Sequence, residues 1–228
     1  MIGLYSPLFW ILVGPAFLLG LLAQIWVKSA YAKAQRLAAP LSGAAAARHI
    51  LNGAGLQNVD IEQVPGRLSD HYDPRHKVLR LSPEVYQSRS LAAVGIAAHE
   101  AGHAIQDARA YAPLVIRNLA VPAAGFGSGA GIWMLFFGLI LQAPLLVWLG
   151  IGLFVCFVFF QVVNLPVEFN ASSRAKAELV QLGIVNQQEL VHVNKVLSAA
   201  AMTYVAATLQ AILTLLYYIM LATSGSRD

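Results

Sequence analysis

Residues 118–167 read NLAVPAAGFGSGAGIWMLFFGLILQAPLLVWLGIGLFVCFVFFQVVNLPV, about fifty positions without an Asp, Glu, Lys, Arg or His. A helix that crosses a bilayer needs about 20 apolar residues. The run is long enough for two crossings, and Gln142-Ala143-Pro144 is its one break, so the stretch predicts spans over roughly 119–141 and 145–165 joined by a tight turn. Working outward, Ile2–Val27 is also uncharged, and Ala199–Thr223 supplies a fourth apolar run with Tyr217 and Tyr218 near one end, where aromatic rings suit the interface. The whole chain agrees: 58% of its 228 residues are hydrophobic and 11% charged, against about a quarter charged in a soluble domain.

Other classes fall away on the same evidence. The one cysteine, Cys156, sits inside an apolar run, which excludes an intramolecular disulfide and argues against a Cys-based metal site. The net charge of +4 comes from basic residues beside hydrophobic runs, which suits anionic lipid and not nucleic acid. Ala30-Tyr31-Ala32 looks like a signal-peptidase box. However, no basic segment precedes the first run, the run is too long for a signal h-region, and Lys28 intervenes, so it is expected to remain as an anchor.

Four spans put segments 28–117 and 166–198 on one side. They hold eleven and three Lys/Arg respectively, while the other side has only Arg227. The positive-inside rule then places both segments in the cytoplasm. Within the first, Ser42 is placed to cap a helix over Ala44–Leu51 that stops at Gly53 and Gly55. Val59–Val64 and Lys77–Leu81 have strand character, the second resembling an edge suited to adding an extended peptide. Ser82-Pro83-Glu84 starts a helix, and another should run from near Ser90 to about Asp107. Beyond the hairpin, Asn164-Leu165-Pro166 is expected to open a helix that ends near Gly183. Asn186 and Glu189 form a capping-box pattern for one that continues into the last span. Glycines at 125, 127, 129 and 131 make two small-xxx-small pairs, a surface for helix packing.

The chemistry is concentrated in His99-Glu100-Ala101-Gly102-His103. Residues four apart share a helix face, so two imidazole nitrogens can reach one Zn²⁺. Glu100 stands beside them as a general base for a metal-bound water. Small residues at 101 and 102 allow another backbone to come close. A catalytic zinc needs a third protein ligand and an open position. Asp107, one turn further along the same helix, is too collinear to close the site, and Arg109 stands where a third metzincin histidine would be. Among Glu168, Glu178, Glu189 and His192, the best candidate is Glu168, the first acidic residue after the hairpin returns the chain. Its ordinary alternative is an acid favoured by a helix N-terminus. Asp70-His71-Tyr72-Asp73 reads as a polar turn, with a second metal or a transition-state donor as its sharper reading. His49 and His76 read as surface residues. His192 and Tyr204 are candidates to stabilise an oxyanion, and Arg174 either orients the site or meets lipid headgroups.

Val64-Pro65-Gly66-Arg67-Leu68-Ser69-Asp70-His71-Tyr72-Asp73-Pro74, Leu79-Arg80-Leu81-Ser82-Pro83-Glu84-Val85-Tyr86, Ala98–Gln106 and Leu165-Pro166-Val167-Glu168-Phe169 together resemble the YugP-like family of bacterial membrane zinc metallopeptidases. The resemblance spans nearly the whole chain. It implies a gluzincin-type catalytic helix, a zinc cofactor, a bacterial cytoplasmic membrane and a downstream Glu as third ligand, which maps to Glu168. Gluzincin-type enzymes often place an Asp shortly after that Glu to brace a ligand histidine. This chain offers Asn170 and Ser172 instead.

The expectation is therefore a mainly α membrane protein, four transmembrane helices with a small α+β zincin-like catalytic domain inserted between the first and second. Its parts are an anchor (1–27), the catalytic domain (28–117), a transmembrane hairpin (118–165), a helical segment completing the zinc site (166–198), a last transmembrane helix (199–223) and a tail (224–228). Its expected activity is hydrolysis of membrane-proximal polypeptide. An intramembrane protease fits less well, because Arg89 and Asp107 bracket the motif only ~27 Å apart along a helix. The non-enzyme alternative is a membrane scaffold or chaperone-like binder with structural zinc or none. A closed structural site would need a fourth protein ligand, and no cysteine is available for it. The charge asymmetry makes a direct prediction: cysteines placed in 28–117 or 166–198 should label only from the cytoplasm. Labelling of a position near Arg75 from outside intact cells would reverse the orientation.

Overall fold

The computed structural model describes residues 6–224, so the first residues of the expected anchor, and the tail beyond 224 with Arg227, lie outside the described residues. The chain is mainly helical. Its elements run α1 (Pro7–Gln35), α2 (Gly43–Gly53), β1 (Asp60–Gln63), β2 (His71–Asp73), β3 (Val78–Leu81), α3 (Pro83–Gln87), α4 (Leu91–Ala108), α5 (Ala112–Phe126), α6 (Ile132–Ile140), α7 (Pro144–Gln181) and α8 (Gln187–Ser224). A π-helical segment, Gly127–Gly131, joins α5 to α6. Among the described residues, four helical stretches are long and apolar enough to cross a membrane: Pro7–Gln35, Ala112–Ile140, Pro144–Gln181 and Gln187–Ser224. The turn at 142–144 forms where the sequence predicts it. Gln142 takes a left-handed φ of 49°, and Pro144, whose fixed φ suits a first helical position, begins α7.

The chain divides into two compact units. One comprises Met1–Ala23, Val115–Pro166 and Met202–Asp228. Leu135, Val147, Ile151 and Phe154 pack together in it, and Phe9 and Val13 pack with Tyr217. Large apolar side chains such as Leu22, Trp133 and Leu145 are more than 60% exposed, which suits contact with lipid tails and would be costly in water. Of the two glycine pairs, Gly127 and Gly131 lie against Leu153 of α7, so that a Cβ on either would press on it. Gly125 and Gly129 have nothing within 4 Å.

The other unit comprises Gln24–Leu114 and Val167–Ala201. Its core gathers Ala46, Ala47, Ile50 and Leu51 of α2, Leu79 and Leu81 of β3, the alanine-rich face of α4, and Ala175, Leu179 and Val193 from α7 and α8. Ser42 caps α2 by accepting from Ala45 N, and Ser90 caps α4 by accepting from Ala93 N. Asn186 and Glu189 close the capping box reciprocally: Asn186 N donates to Glu189 Oε2 at 2.8 Å and Glu189 N to Asn186 Oδ1 at 2.9 Å. The three strands stand in the order β1-β3-β2, with β1–β3 parallel and β2–β3 antiparallel.

Three expectations need correction. The strand at 77–81 is not an edge. β3 is central, because the short segment 71–73, expected to be a turn, pairs on its other side. The edges are β1 and β2. Asn164-Leu165-Pro166 also opens no helix, since α7 runs unbroken from 144 to 181 with Pro166 inside it. Proline forfeits one helical hydrogen bond, but long membrane-spanning helices tolerate that loss. Glu168 is consequently mid-helix, and an N-terminal dipole does not explain it.

Close approach between α4 and α7 depends on one glycine. A Cβ on Gly102 would stand 2.6 Å from the Ala171 carbonyl oxygen, a backbone atom that cannot swing aside. Gly102→Ala should destabilise the protein by about 1–3 kcal/mol through overpacking, lowering the unfolding midpoint in detergent by about 2–4 °C per kcal/mol. Gly125→Ala, with open space at the same atom, is the control and should not lower it. Equal midpoints for the two variants would show that this contact does not set the packing.

Candidate metal centre

Helix α4 is buried over almost its whole length, and its only ionisable side chains are His99, Glu100, His103 and Asp107. Helical spacing puts the two imidazole rings on one face, with centroids 4.7 Å apart and planes nearly perpendicular. Glu168 approaches from α7. Its Oε2 lies 3.3 Å from His99 Nε2 and 3.8 Å from His103 Nε2. One donor atom from each of the three residues falls within 4.8 Å of the others, and among the described residues this is the group able to hold a metal ion.

The donor set fits zinc on two counts. Zn–N and Zn–O bonds of about 2.0–2.2 Å in a tetrahedron separate ligand atoms by about 3.3–3.5 Å, close to the 3.3 and 3.8 Å between Glu168 and the two rings. Glu168 Oε2 is also buried without a hydrogen-bond partner despite its proximity to both imidazoles. A buried carboxylate oxygen left so is costly unless a cation satisfies it. Burial is the largest influence on this carboxyl and pushes it up, yet His103 and His99 together hold it well below the usual carboxylate range. For His103, burial likewise disfavours the charged form, but Glu168, Glu100 and Gln106 raise its pKa overall.

Around these three stands an uncharged layer. Ser172 Oγ lies 3.2 Å from His99 Nδ1, and Gln106 Oε1 lies 3.0 Å from His103 Nδ1. The positions that depart from the gluzincin pattern are thus in use. Ser172 meets one histidine, while Asn170 accepts from Gln106 Nε2 at 3.0 Å and from Arg174 Nε at 2.7 Å. The sequence reading missed Gln106, although its place three residues after His103, on the same helix face, was the available signal.

Glu100 is buried, and its Oε2 accepts the Tyr72 backbone N–H at 3.1 Å. The Tyr72 hydroxyl donates to Asp107 at 2.9 Å, so β2 is tied to α4 at two points. Burial, and then that bond to Asp107, raise the Tyr72 pKa far above the usual phenol range. Asp70 and Asp73 are taken up in hydrogen bonds within the protein. Asp70 accepts from Ser82 N and Oγ, and Asp73 accepts from His76 and Arg80. The bond from His76 leads the influences that hold Asp73 well below the carboxylate range.

None of the remaining candidates belongs to the three-residue group. Glu178 is half-buried on α7, and Glu189 is used in the cap of α8. His192 is half-buried on α8, and His49 and His76 are exposed. Tyr204 falls in the other compact unit. Arg174 has its guanidinium 5.9 Å from the Tyr111 ring centre.

Comparison with known proteins adds an independent line. The family described as "Putative neutral zinc metallopeptidase" matches residues 9–223. The "Putative membrane protease YugP" of Bacillus subtilis (strain 168) is 46% identical over 205 residues, 89% of this chain and 91% of that protein. No solved structure matches. A match over that much of the chain, with a relative this similar across nearly its full length, places the chain in the neutral zinc metallopeptidase family.

Proposed function

We propose that this protein is a multi-pass membrane metalloendopeptidase, with His99, His103 and Glu168 as zinc ligands and Glu100 as the general base. The observation that carries the reading is the buried, hydrogen-bond-free Glu168 Oε2 facing two imidazole nitrogens. In this reading the gluzincin-like catalytic domain is built from 28–117, between the first and second spans, and completed by 166–198. It faces the cytoplasm of a bacterial inner membrane. Glu168 follows the uncharged run directly, which supports a substrate cut close to the membrane.

Zinc held by these three donors would supply Lewis acidity, polarising a peptide carbonyl and lowering the pKa of water toward ~7. Glu100 supplies the proton handling. Its Oε2 is engaged by Tyr72 N, which leaves Oε1 to take a proton from the attacking water and pass it to the leaving amine. The Tyr72 amide fixes the carboxylate in place, so the base needs no reorganisation during reaction. That amide belongs to the edge strand β2, and an extended substrate added beside β2 would bring its backbone next to the base.

Two sets of variants test this. His99→Ala and His103→Ala should each abolish zinc retention, and Glu168→Gln should weaken zinc binding and remove proteolysis of an unfolded protein substrate. Glu178→Gln and Glu189→Gln should change little. If Glu168→Gln holds zinc as tightly as wild type while one of the other two loses it, the ligand assignment is wrong.

The base is tested separately. Glu100→Gln should keep its zinc and lose turnover by about 10²–10⁴-fold, the usual contribution of a general base. A loss under about tenfold would assign the proton transfer to another group.

A further inference from the structure

The uncharged layer behind His103 has a direction that its end groups fix. One end is the Val167 carbonyl, which only accepts. The other is the Arg174 Nε–H, which only donates. Arg174 Nε stands 2.7 Å from the near side-chain atom of Asn170, so that atom must be the amide oxygen. The Gln106 atom 2.8 Å from Val167 O must be the amide nitrogen, and its second proton goes to Asn170 Oδ1 at 3.0 Å. Gln106 is fully buried and cannot flip without losing both bonds and setting its oxygen against two acceptors. Its Oε1 is therefore turned to His103 Nδ1 at 3.0 Å, and a carboxamide oxygen only accepts, so Nδ1 must carry the proton. The lone pair of the neutral ring is then on Nε2, the atom that faces Glu168.

We propose that Arg174, Asn170 and Gln106 form a directional hydrogen-bond relay that sets the tautomer of His103 and holds Nε2 ready to bind metal. This deepens the zinc-peptidase reading and rests on it for its purpose. The relay itself is a property of the protein without metal. The three are positioning residues, acting through His103. Neutral bracing is also the stable choice here. A carboxylate at 106 would face Val167 O and Asn170 Oδ1 with no proton to give, whereas an Asp at 170 accepts from Arg174 and Gln106 as Asn does. Outer partners of metal-binding histidines are typically worth 10–100-fold in metal affinity.

Two measurements on the full-length protein in detergent test the relay. The first is zinc dissociation constants by chelator competition. Gln106→Glu and Asn170→Ala should weaken binding by about 10–100-fold, and Asn170→Asp should stay within about threefold of wild type. The second is ¹⁵N NMR of histidine-labelled, metal-free protein at a pH above the titration of His103. Nδ1 should be the protonated nitrogen in wild type, and in Gln106→Met the proton should move to Nε2, toward Glu168. A Gln106→Glu variant that binds zinc as tightly as wild type, Asn170→Asp and Asn170→Ala equally impaired, or an Nε2–H tautomer in the wild type would each overturn the relay. A wild type that binds no zinc but has the Nδ1–H tautomer would sink the peptidase reading and leave the relay standing.

Discussion

Two imidazoles and a carboxylate can share one buried site only if the helices that carry them come almost into backbone contact. Here that constraint is met at Gly102, where α4 lies against the Ala171 carbonyl with no room for a Cβ. The geometry of the site follows from it. Glu168 is about one turn before Ala171 on the same helix, and His99 and His103 flank Gly102 on theirs, so the contact sets the 3.3 and 3.8 Å separations between Glu168 and the two rings. Because α7 is unbroken through Pro166, Glu168 is carried on a rigid element, which suits a ligand that must be held to within a few tenths of an ångström.

The same packing decides how the three side chains are supported. Zinc-binding histidines commonly rest on a carboxylate or a backbone carbonyl. In this chain the two imidazoles meet a hydroxyl and a carboxamide, and Arg174 is three hydrogen bonds removed from His103. Glu100 is likewise braced by a neutral group, the Tyr72 amide. Glu168 and Glu100 carry the carboxylates of the site, with Asp107 further along α4 and bound to Tyr72. A site with few buried carboxylates leaves more of a bound cation's charge directed at substrate.

Much of this was legible in the sequence because it is local. The four-residue spacing of His99 and His103, the caps at Ser42 and Asn186, the helix start near Ser90, and the hairpin at Gln142 each rest on residues within a turn or two of one another. What was missed depends on distant partners. His71–Asp73 is three residues long and polar, and becomes a strand only because β3 offers it a ladder, which also moves β3 from the edge to the centre. Pro166 carries a helix-start signal that the apolar helix before it overrides. Gln106 has an ordinary place on a buried helix face, and its use is visible only once Val167 and Asn170 are brought against it.

The claim on which everything else rests is that α4 and α7 together present one zinc ion with two imidazoles and one carboxylate. X-ray absorption at the zinc edge of the purified wild-type protein reads that ligand set directly. One zinc per chain is expected, with a first shell of nitrogen and oxygen only at about 2.0–2.2 Å and outer-shell scattering from two imidazole rings. Sulfur in the first shell, three or more imidazoles, or no bound zinc would contradict it.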